Sequence, residues 1–447
     1  MKFSKLLLFG IFLIGISSVH AQQKTNLSLK DAVEIALSKS DEVGLATTKS
    51  VTRSYELSSV KNNQYPDVKI SGQYLRLTNA DIKLKSSGEA SSDPDAEPAA
   101  TPKVNQLMFG QASVSMPLFS GFKLRNSIKA SESQYKAELA NASYTKEETA
   151  MKVVSYYADL YKAQKSVELF KESLKSGQQR VTDFTAMEQN GIIARNDLLK
   201  AQLQVSKYQL SLDDAEKNVR LINYYLVTLL KLSPETQISV SPESIQNDLF
   251  SFNVQTEAEA LQSRKDMEAL SHLENASKSE IKVAQSGYYP ALSLTGGYVA
   301  MDIQNVVRVE NAMNVGVGLS YNLSSIFKNG KEVKAAKSRA QEVEQQKAIL
   351  TDRIKEQIME AKESYDLSMK QDKVYTEAVG QADENFRIVK DKYDNGLSDT
   401  NDLLEADVED LSAKINLAYA KANVVLKYYE LLDASGQLTQ SFNLTTK

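Results

Sequence analysis

Apolar and polar residues alternate in four short stretches of the chain. In the first stretch, apolar residues or glycine occupy every second position from Val68 to Tyr74, with polar residues between them. The same alternation runs over residues 108–118, 292–300 and 313–321. Strict alternation places one set of side chains on each face of a strand, and about ten residues of tilted strand span a bilayer. The pattern therefore predicts four strands of membrane-spanning length.

Two interpretations fit these strands. One is an ordinary sheet that is half-buried under helices, and the other is a wall with one face toward lipid and one toward a polar lumen. The polar face is small and uncharged in three of the four strands, and aromatic residues bracket the strands, which favours the wall. Four strands cannot close a membrane barrel, and an open edge in lipid leaves peptide groups unsatisfied at several kcal/mol each. The wall therefore predicts an oligomer.

Long proline-free stretches of helix-forming residues follow the strands. No proline lies between residues 118 and 233 or after 290, and a proline inside a helix costs about 3 kcal/mol. Short breaks divide these stretches at Gly191 and Gly396, where glycine suits the left-handed end of a helix. Each break therefore predicts the tip of a helical hairpin. The predicted long helices cover residues 122–187 and 331–393, the return helices 196–232 and 401–433, and the shorter helices 26–37 and 255–263.

The chain carries an internal duplication. The strand sequence QYPDVKISGQY at 64–74 returns as YYPALSLTGGY at 288–298, and the order of helices and strands is the same in both halves. We predict a loop at 80–105 between the first two strands and a shorter one near 302–311. The predicted division is a signal peptide over 1–21, a first repeat over 22–245, a second repeat over 246–436 and a C-terminal tail over 437–447.

Composition narrows the function. The basic start, apolar run and Val-His-Ala ending of residues 1–21 are typical of a secretory signal peptide. The 447 residues include no cysteine and only two histidines, and the formal net charge is −4 without basic clusters. The sequence contains no nucleophile motif with which His272 could form a catalytic site, and it contains no phosphate-binding loop. We therefore expect no enzyme, no cofactor, no metal site and no nucleic-acid partner.

The chain resembles the TolC-like outer-membrane efflux protein family over residues 26–436. The resemblance is carried by the duplicated order of elements, by VSMPLFSG at 114–121 before a long helix, and by two Gly-x(5)-Asp-Leu-Leu tips at 191–199 and 396–404. It implies a mixed α/β membrane protein. Three chains of four strands would form a twelve-stranded β-barrel, continued by a long periplasmic α-helical barrel built from two structural repeats.

The resemblance also implies the setting in which the protein works. It predicts a passive exit duct for efflux or type I secretion, in the outer membrane of a Gram-negative bacterium and extending into the periplasm. The implied partners are two further copies of the chain, a periplasmic adaptor protein, an inner-membrane transporter and outer-membrane lipid. A secreted coiled-coil scaffold is the alternative, and a cell-wall hydrolase would need a catalytic constellation that the sequence does not show.

Two sites follow from the resemblance. Asp402 and Glu405 match the pair that lines the periplasmic constriction of the family, although an N-cap role for Asp402 or Asn401 with Glu405 as its capping-box partner is the alternative. The hydrophobic turn of each tip matches the adaptor contact, although a plain hairpin turn would also explain the glycines. The residues of these two turns are Gly191, Ile192, Ile193, Gly396, Leu397 and Ser398.

Overall fold

The computed structural model describes residues 24–78, 103–240 and 255–442. The predicted signal peptide, most of the predicted loop at 80–105, the boundary between the repeats and the end of the tail lie outside the described residues. The elements in chain order are β1 (Lys24–Asn26), α1 (Leu29–Lys39), α2 (Asp41–Asn62), β2 (Asp67–Arg76), β3 (Gln106–Ser120), α3 (Lys123–Gln189), α4 (Arg195–Leu229), β4 (Gln237–Ser239), α5 (Glu257–Ser263), α6 (Lys265–Gln285), β5 (Ala291–Ile303), β6 (Val307–Ser320), α7 (Ser325–Asp394), α8 (Thr400–Ala434) and α9 (Leu438–Ser441).

The described residues form two compact units. The first, here called the tip unit, takes its described residues from Met1–Val43, Lys146–Thr256 and Gln357–Lys447. The second, here called the strand unit, takes them from Gly44–Thr145 and Glu257–Glu356. Each unit therefore draws on both halves of the chain, and the predicted boundaries of the repeats stay a prediction.

The strand unit contains a four-stranded antiparallel sheet in the order β2-β3-β5-β6. All four predicted strands are confirmed, with lengths of 10, 15, 13 and 14 residues. The predicted loop near 302–311 is wrong, because β5 runs to Ile303 and β6 begins at Val307. Asn305 makes this tight connection possible with a φ of 63°, a left-handed conformation that Asn tolerates better than most residues.

The long helices are confirmed and are longer than predicted. α3 has 67 residues and α7 has 70. The predicted start of α7 at Lys331 is wrong, since the helix begins at Ser325 and includes Gly330. A single glycine within a helix costs only about 1 kcal/mol relative to alanine, which a helix of this length absorbs.

The largest core lies in the tip unit. Ala32, Val33 and Ala36 of α1 are fully buried there, and the Tyr157 hydroxyl on α3 donates to the Leu27 carbonyl oxygen at 2.8 Å. The parallel pairing of β1 with β4 flanks this core. Strands of three residues are too short for a detectable periodicity, so β1 and β4 could not be predicted from the sequence pattern. Among the described residues, no helix has both the length and the apolar character needed to cross a membrane.

Candidate functional site

The apolar positions of the four strands share one face of the sheet. Ile70 of β2 pairs with Ala112 of β3, which pairs with Tyr298 of β5, and Tyr298 pairs with Met313 of β6. Side chains alternate along each strand, so the in-register pairs place all these residues on the same face.

This apolar face is open rather than covered. The side chain of Ile70 is 85% exposed and that of Val315 is 82% exposed. In a sheet packed under its own helices, these would be core positions. The interpretation as an ordinary half-buried sheet is therefore wrong for the described chain. The large exposed apolar residues of this face are Val68, Ile70, Tyr74, Met108, Val114, Leu294, Met313, Val315, Val317 and Leu319.

Both edges of the sheet are also open. β2 and β6 are the outer strands, and no other strand of the described residues pairs with their free edges. An exposed edge of this length presents a row of backbone donors and acceptors that pair readily with another chain.

The two hairpin tips have the same turn. Gly191 lies two residues after the end of α3 with a φ of 71°, and Gly396 lies two residues after the end of α7 with the same angle. In each tip the amide of the next residue donates to a carbonyl five residues earlier: Ile192 to Met187 at 2.9 Å, and Leu397 to Lys392 at 2.8 Å. These are the hydrogen bonds of a Schellman motif, so the tips predicted from the glycines are confirmed.

The turns present exposed apolar side chains. Ile192 is 66% exposed and Leu397 is 78% exposed, while Ile193 and Ser398 are intermediate. No atom that a Cβ would meet lies within 4 Å of Gly191 or Gly396, so the two glycines are required by their backbone angle and not by close packing.

The second tip is capped by a residue that the sequence analysis did not single out. Asp399 is the N-cap of α8, and its Oδ1 accepts hydrogen bonds from the amides of Asn401 at 2.8 Å and Asp402 at 3.0 Å. The alternative in which Asp402 or Asn401 caps the helix is therefore wrong. The Asp-x-x-Asp spacing of residues 399–402 would have been a usable signal for this cap.

Asp402 and Glu405 are both exposed on the first two turns of α8. The Ser398 hydroxyl donates to Asp402 Oδ2 at 2.7 Å and holds that side chain beside the turn. Since Asp399 already caps the helix, neither carboxylate is needed for that purpose.

The first tip differs from the second in its cap and its charge. Ala194 is the N-cap of α4 and makes no side-chain hydrogen bond. Arg195 lies 3.6 Å from Glu188, and Lys200 lies 3.3 Å from Asp197. The first tip therefore balances its carboxylates with cations, whereas the start of α8 leaves its carboxylates exposed.

The tips are joined by a small apolar cluster within the tip unit. Phe184, Leu198, Ala201 and Leu403 are its buried members, and they bring α3, α4 and α8 together. Phe184 also stacks on Tyr393 of α7, with ring centroids 5.7 Å apart. The position of Asp402 and Glu405 therefore depends on how all four helices pack.

A polar node lies on the same helices. Arg180 of α3 donates to both carboxylate oxygens of Asp407 on α8, at 3.0 and 3.1 Å, and the Tyr208 hydroxyl on α4 donates to Asp407 at 2.8 Å. The side chains of Arg180 and Asp407 are each 12% exposed. Burial, together with the Asp407 charge, raises the pKa of Tyr208 above its usual value. Sequence reasoning missed this node because its members are far apart in the chain.

The fold and these sites define a class of protein. Among the described residues, a four-stranded sheet has an open apolar face and two unpaired outer edges, and the same chain forms long helical hairpins. The family model of outer membrane efflux proteins matches residues 36–230 and 258–437, and the chain belongs to this family. It is thus an outer-membrane efflux protein that extends into the periplasm, and its family and fold are those of channel proteins.

Individual relatives agree with the family. The chain is 20% identical to the outer membrane efflux protein BepC of Brucella suis biovar 1 over 396 residues, which cover 88% of this chain and 85% of BepC. Its fold is similar to that of the CmeC outer membrane channel of Campylobacter jejuni, with a TM-score of 0.76, 17% identity and 98% and 94% of the two chains covered. The outer membrane protein VceC of Vibrio cholerae also has a TM-score of 0.76, with 16% identity and coverage of 91% and 96%.

Proposed function

We propose that three copies of the chain form a passive exit duct in the outer membrane. The observation that carries this proposal is the open sheet, because its apolar face suits lipid and its two free edges need partner strands. Three copies would close a twelve-stranded barrel, and the hairpins would continue it into the periplasm. The duct performs no chemistry. An inner-membrane transporter supplies the energy, and a periplasmic adaptor connects that transporter to the duct.

The second tip forms the gate of the duct. Asp402 and Glu405 are exposed and are not used as helix caps. Three copies would bring six carboxylates to one constriction, and such a ring favours cations over anions. The first tip contributes Asp197 with its partner Lys200, so it adds little net charge.

The gate is tested by conductance in planar bilayers. Replacement of both Asp402 and Glu405 by alanine is expected to raise the single-channel conductance, reduce the preference for cations and weaken block by multivalent cations. The matched control replaces Asp197 and Lys200 by alanine, which removes one charge of each sign from the first tip. Unchanged conductance and selectivity in the Asp402/Glu405 variant, or an equal change in the control, would remove the gate assignment.

The hydrophobic turns receive the adaptor. The two docking segments are the turns Gly191-Ile192-Ile193 and Gly396-Leu397-Ser398. Ile192 and Leu397 present exposed apolar side chains there on a rigid backbone, as a docking site requires. Ile192→Asp and Leu397→Asp are expected to abolish site-specific crosslinking to the adaptor encoded with this protein. Both side chains are exposed, so the variant oligomers are expected to keep the heat resistance of the wild type. Crosslinking at the wild-type level would rule out docking at the turns.

A further inference from the structure

Six cations cluster where the strands pass into the long helices. They form what we call the cationic collar: Lys123, Arg125 and Lys129 on α3, and Lys328, Lys331 and Lys334 on α7. All six are exposed. Within the described chain, none of them forms an ion pair with a carboxylate, although ion pairs occur further along α3 and α7 and on α6.

Both groups of cations lie at the same end of the sheet. β3 ends at Ser120, which pairs with Ala291, and Ala291 pairs in turn with Ser320 at the end of β6. α3 begins three residues after Ser120, and α7 begins five residues after Ser320. The opposite end of the sheet differs in character, since Arg308 there is paired with Glu310 at 2.8 Å.

Exposed aromatic side chains accompany the collar. Phe122 contacts Phe119 and Tyr289 edge to face, with ring centroids 5.2 and 6.1 Å apart. Phe327, beside the first lysine of α7, is 87% exposed. Aromatic rings followed by cations are the arrangement that proteins use at the boundary between hydrocarbon and headgroups.

A groove joins the two kinds of side chain. A cavity of 460 Å³ is lined by Leu118, Phe119 and Phe122 on its apolar side and by Arg125 and Lys129 on its polar side. Glu132 also lines this cavity, and its carboxylate is held by Lys136 at 2.9 Å. The groove thus offers an apolar wall beside two cations and one carboxylate, which is already paired with Lys136.

Helix stability does not account for this placement. Neither α3 nor α7 has an acidic residue in its first turn, and cations near the N-terminus of a helix are mildly unfavourable. Carboxylates in the first turns of α3 and α7 would have given these two helices a lower free energy than the cations do. Two carboxylates lie beside the collar, Glu332 between Lys331 and Lys334 and Glu132 near Lys129, so four of the six positive charges have no nearby carboxylate. The arrangement therefore points to an external anion that compensates for this excess positive charge.

We propose that the cationic collar binds the phosphate headgroups of anionic phospholipids in the leaflet that faces the periplasm. This rests on the proposed function, which puts the strands in the outer membrane and the long helices in the periplasm. A headgroup layer only about 5–8 Å thick borders the hydrocarbon on each side, and the collar begins directly below the strands. The phosphates would neutralise the lysines and fix the depth of the sheet in the bilayer.

Lipid selectivity of the reconstituted protein tests this proposal. Spin-labelled phosphatidylglycerol and spin-labelled phosphatidylcholine are compared for association with the full-length oligomer. The wild type is expected to prefer phosphatidylglycerol. Each cation near an anionic surface contributes about fivefold to binding. In the triple variant Lys328→Gln, Lys331→Gln, Lys334→Gln, the ratio of phosphatidylglycerol to phosphatidylcholine association is therefore expected to fall at least about tenfold. Glutamine keeps a similar helix propensity.

The matched control lies on the same helix. Lys362, Lys370 and Lys373 are also exposed lysines of α7, more than 25 residues beyond the collar, and their replacement by glutamine is expected to leave the preference intact. A wild type without preference, an equal loss in this control, or selectivity for lipopolysaccharide alone would overturn the proposal. Conductance is measured on the same preparations. A conducting channel without lipid preference refutes the collar alone, whereas absence of any channel refutes the proposed function.

Discussion

Gly121 joins β3 to α3 in a conformation that excludes a side chain. Its φ is 62°, and a Cβ there would lie 2.7 Å from the carbonyl oxygen of Ser286 and 2.8 Å from Cβ of Tyr289. Gly121→Ala is therefore expected to destabilise the protein by at least about 2 kcal/mol, because strain and overlap add. The midpoint of thermal unfolding, followed by circular dichroism, measures the loss.

Gly380→Ala is the control for this substitution. Gly380 lies within α7, and nothing is within 4 Å of the position that its Cβ would take. Alanine is favoured over glycine in a helix interior by about 0.5–1 kcal/mol, so the midpoint is expected to rise slightly. Equal midpoints for the two variants would contradict the close approach at Gly121.

Asp407 is the residue on which the polar node of the tip unit depends. Asp407→Asn keeps an acceptor for Tyr208 but leaves the largely buried Arg180 guanidinium without its countercharge. A buried ion pair broken on one side typically costs about 3–5 kcal/mol, and a loss of this size in unfolding free energy is expected. The apolar double variant Arg180→Met, Asp407→Leu is expected to recover most of it.

An exposed pair serves as the comparison for this node. Asp391 lies 3.3 Å from Arg387 and is 67% exposed, so Asp391→Asn is expected to leave the unfolding midpoint unchanged. If Asp407→Asn were as mild as Asp391→Asn, the node would contribute nothing to the packing of the tips.

At the residue scale, local geometry was readable from the sequence and long-range pairing was not. Gly191 and Gly396 were identified because a left-handed helix end has a local signature. The Arg180–Asp407 contact joins residues 227 positions apart, and in a chain with many exposed charges nothing in the sequence distinguishes these two. The exposure of Asp402 and Glu405 agrees with their predicted role, which stays a prediction.

At the element scale, the two return helices differ in how they begin. α8 has Asp399 as its N-cap, whereas the N-cap of α4 is Ala194, which has an extended backbone at φ −77° and ψ 151° but no capping side chain. A good N-cap contributes about 1 kcal/mol. Asp399→Ala is expected to speed amide hydrogen exchange in the first turn of α8, and Ala194→Asp is expected to slow it in the first turn of α4.

Asparagine variants distinguish the hydrogen bond of the N-cap from the negative charge of aspartate. Asp399→Asn and Ala194→Asn supply a capping oxygen without a carboxylate, so they are expected to exchange like the aspartate forms. If exchange followed the charge rather than the cap, the electrostatic field of the tip would control its stability. No change in either helix would contradict the capping difference.

The strands and helices were predictable from the sequence, but the residues at which they begin and end were not. Alternation fixed which residues of β2, β3, β5 and β6 share a face, because the period of a strand is two regardless of its context. The connection at 304–306 was predicted as a longer loop near 302–311, because the left-handed backbone of Asn305 leaves no pattern in the sequence. The predicted helix over 331–393 begins after Gly330, whereas α7 starts at Ser325 and continues through this glycine.

At the scale of the whole molecule, the assignment of the two faces of the sheet decides the architecture. Val315 lies on the exposed apolar face of β6, and its neighbour Asn314 lies on the opposite face. If the apolar face meets lipid, Val315→Lys places a charge in the hydrocarbon at about 2–4 kcal/mol per copy. Three copies would triple this penalty, so heat-resistant oligomers in the membrane are expected to disappear.

Asn314→Lys is the matched test of the other face, since it introduces the same charge one residue away. A lysine in a water-filled lumen carries little penalty, so oligomers are expected to form while the channel becomes less selective for cations. Semi-denaturing gels and planar-bilayer recordings measure both quantities. In the reverse outcome, Asn314→Lys is excluded from the membrane and Val315→Lys is tolerated. That result would mean that the face with Asn314 meets lipid and the face with Val315 lines the lumen. If both variants were tolerated, these strands would not meet lipid. The edges of β2 and β6 would then no longer require partner chains.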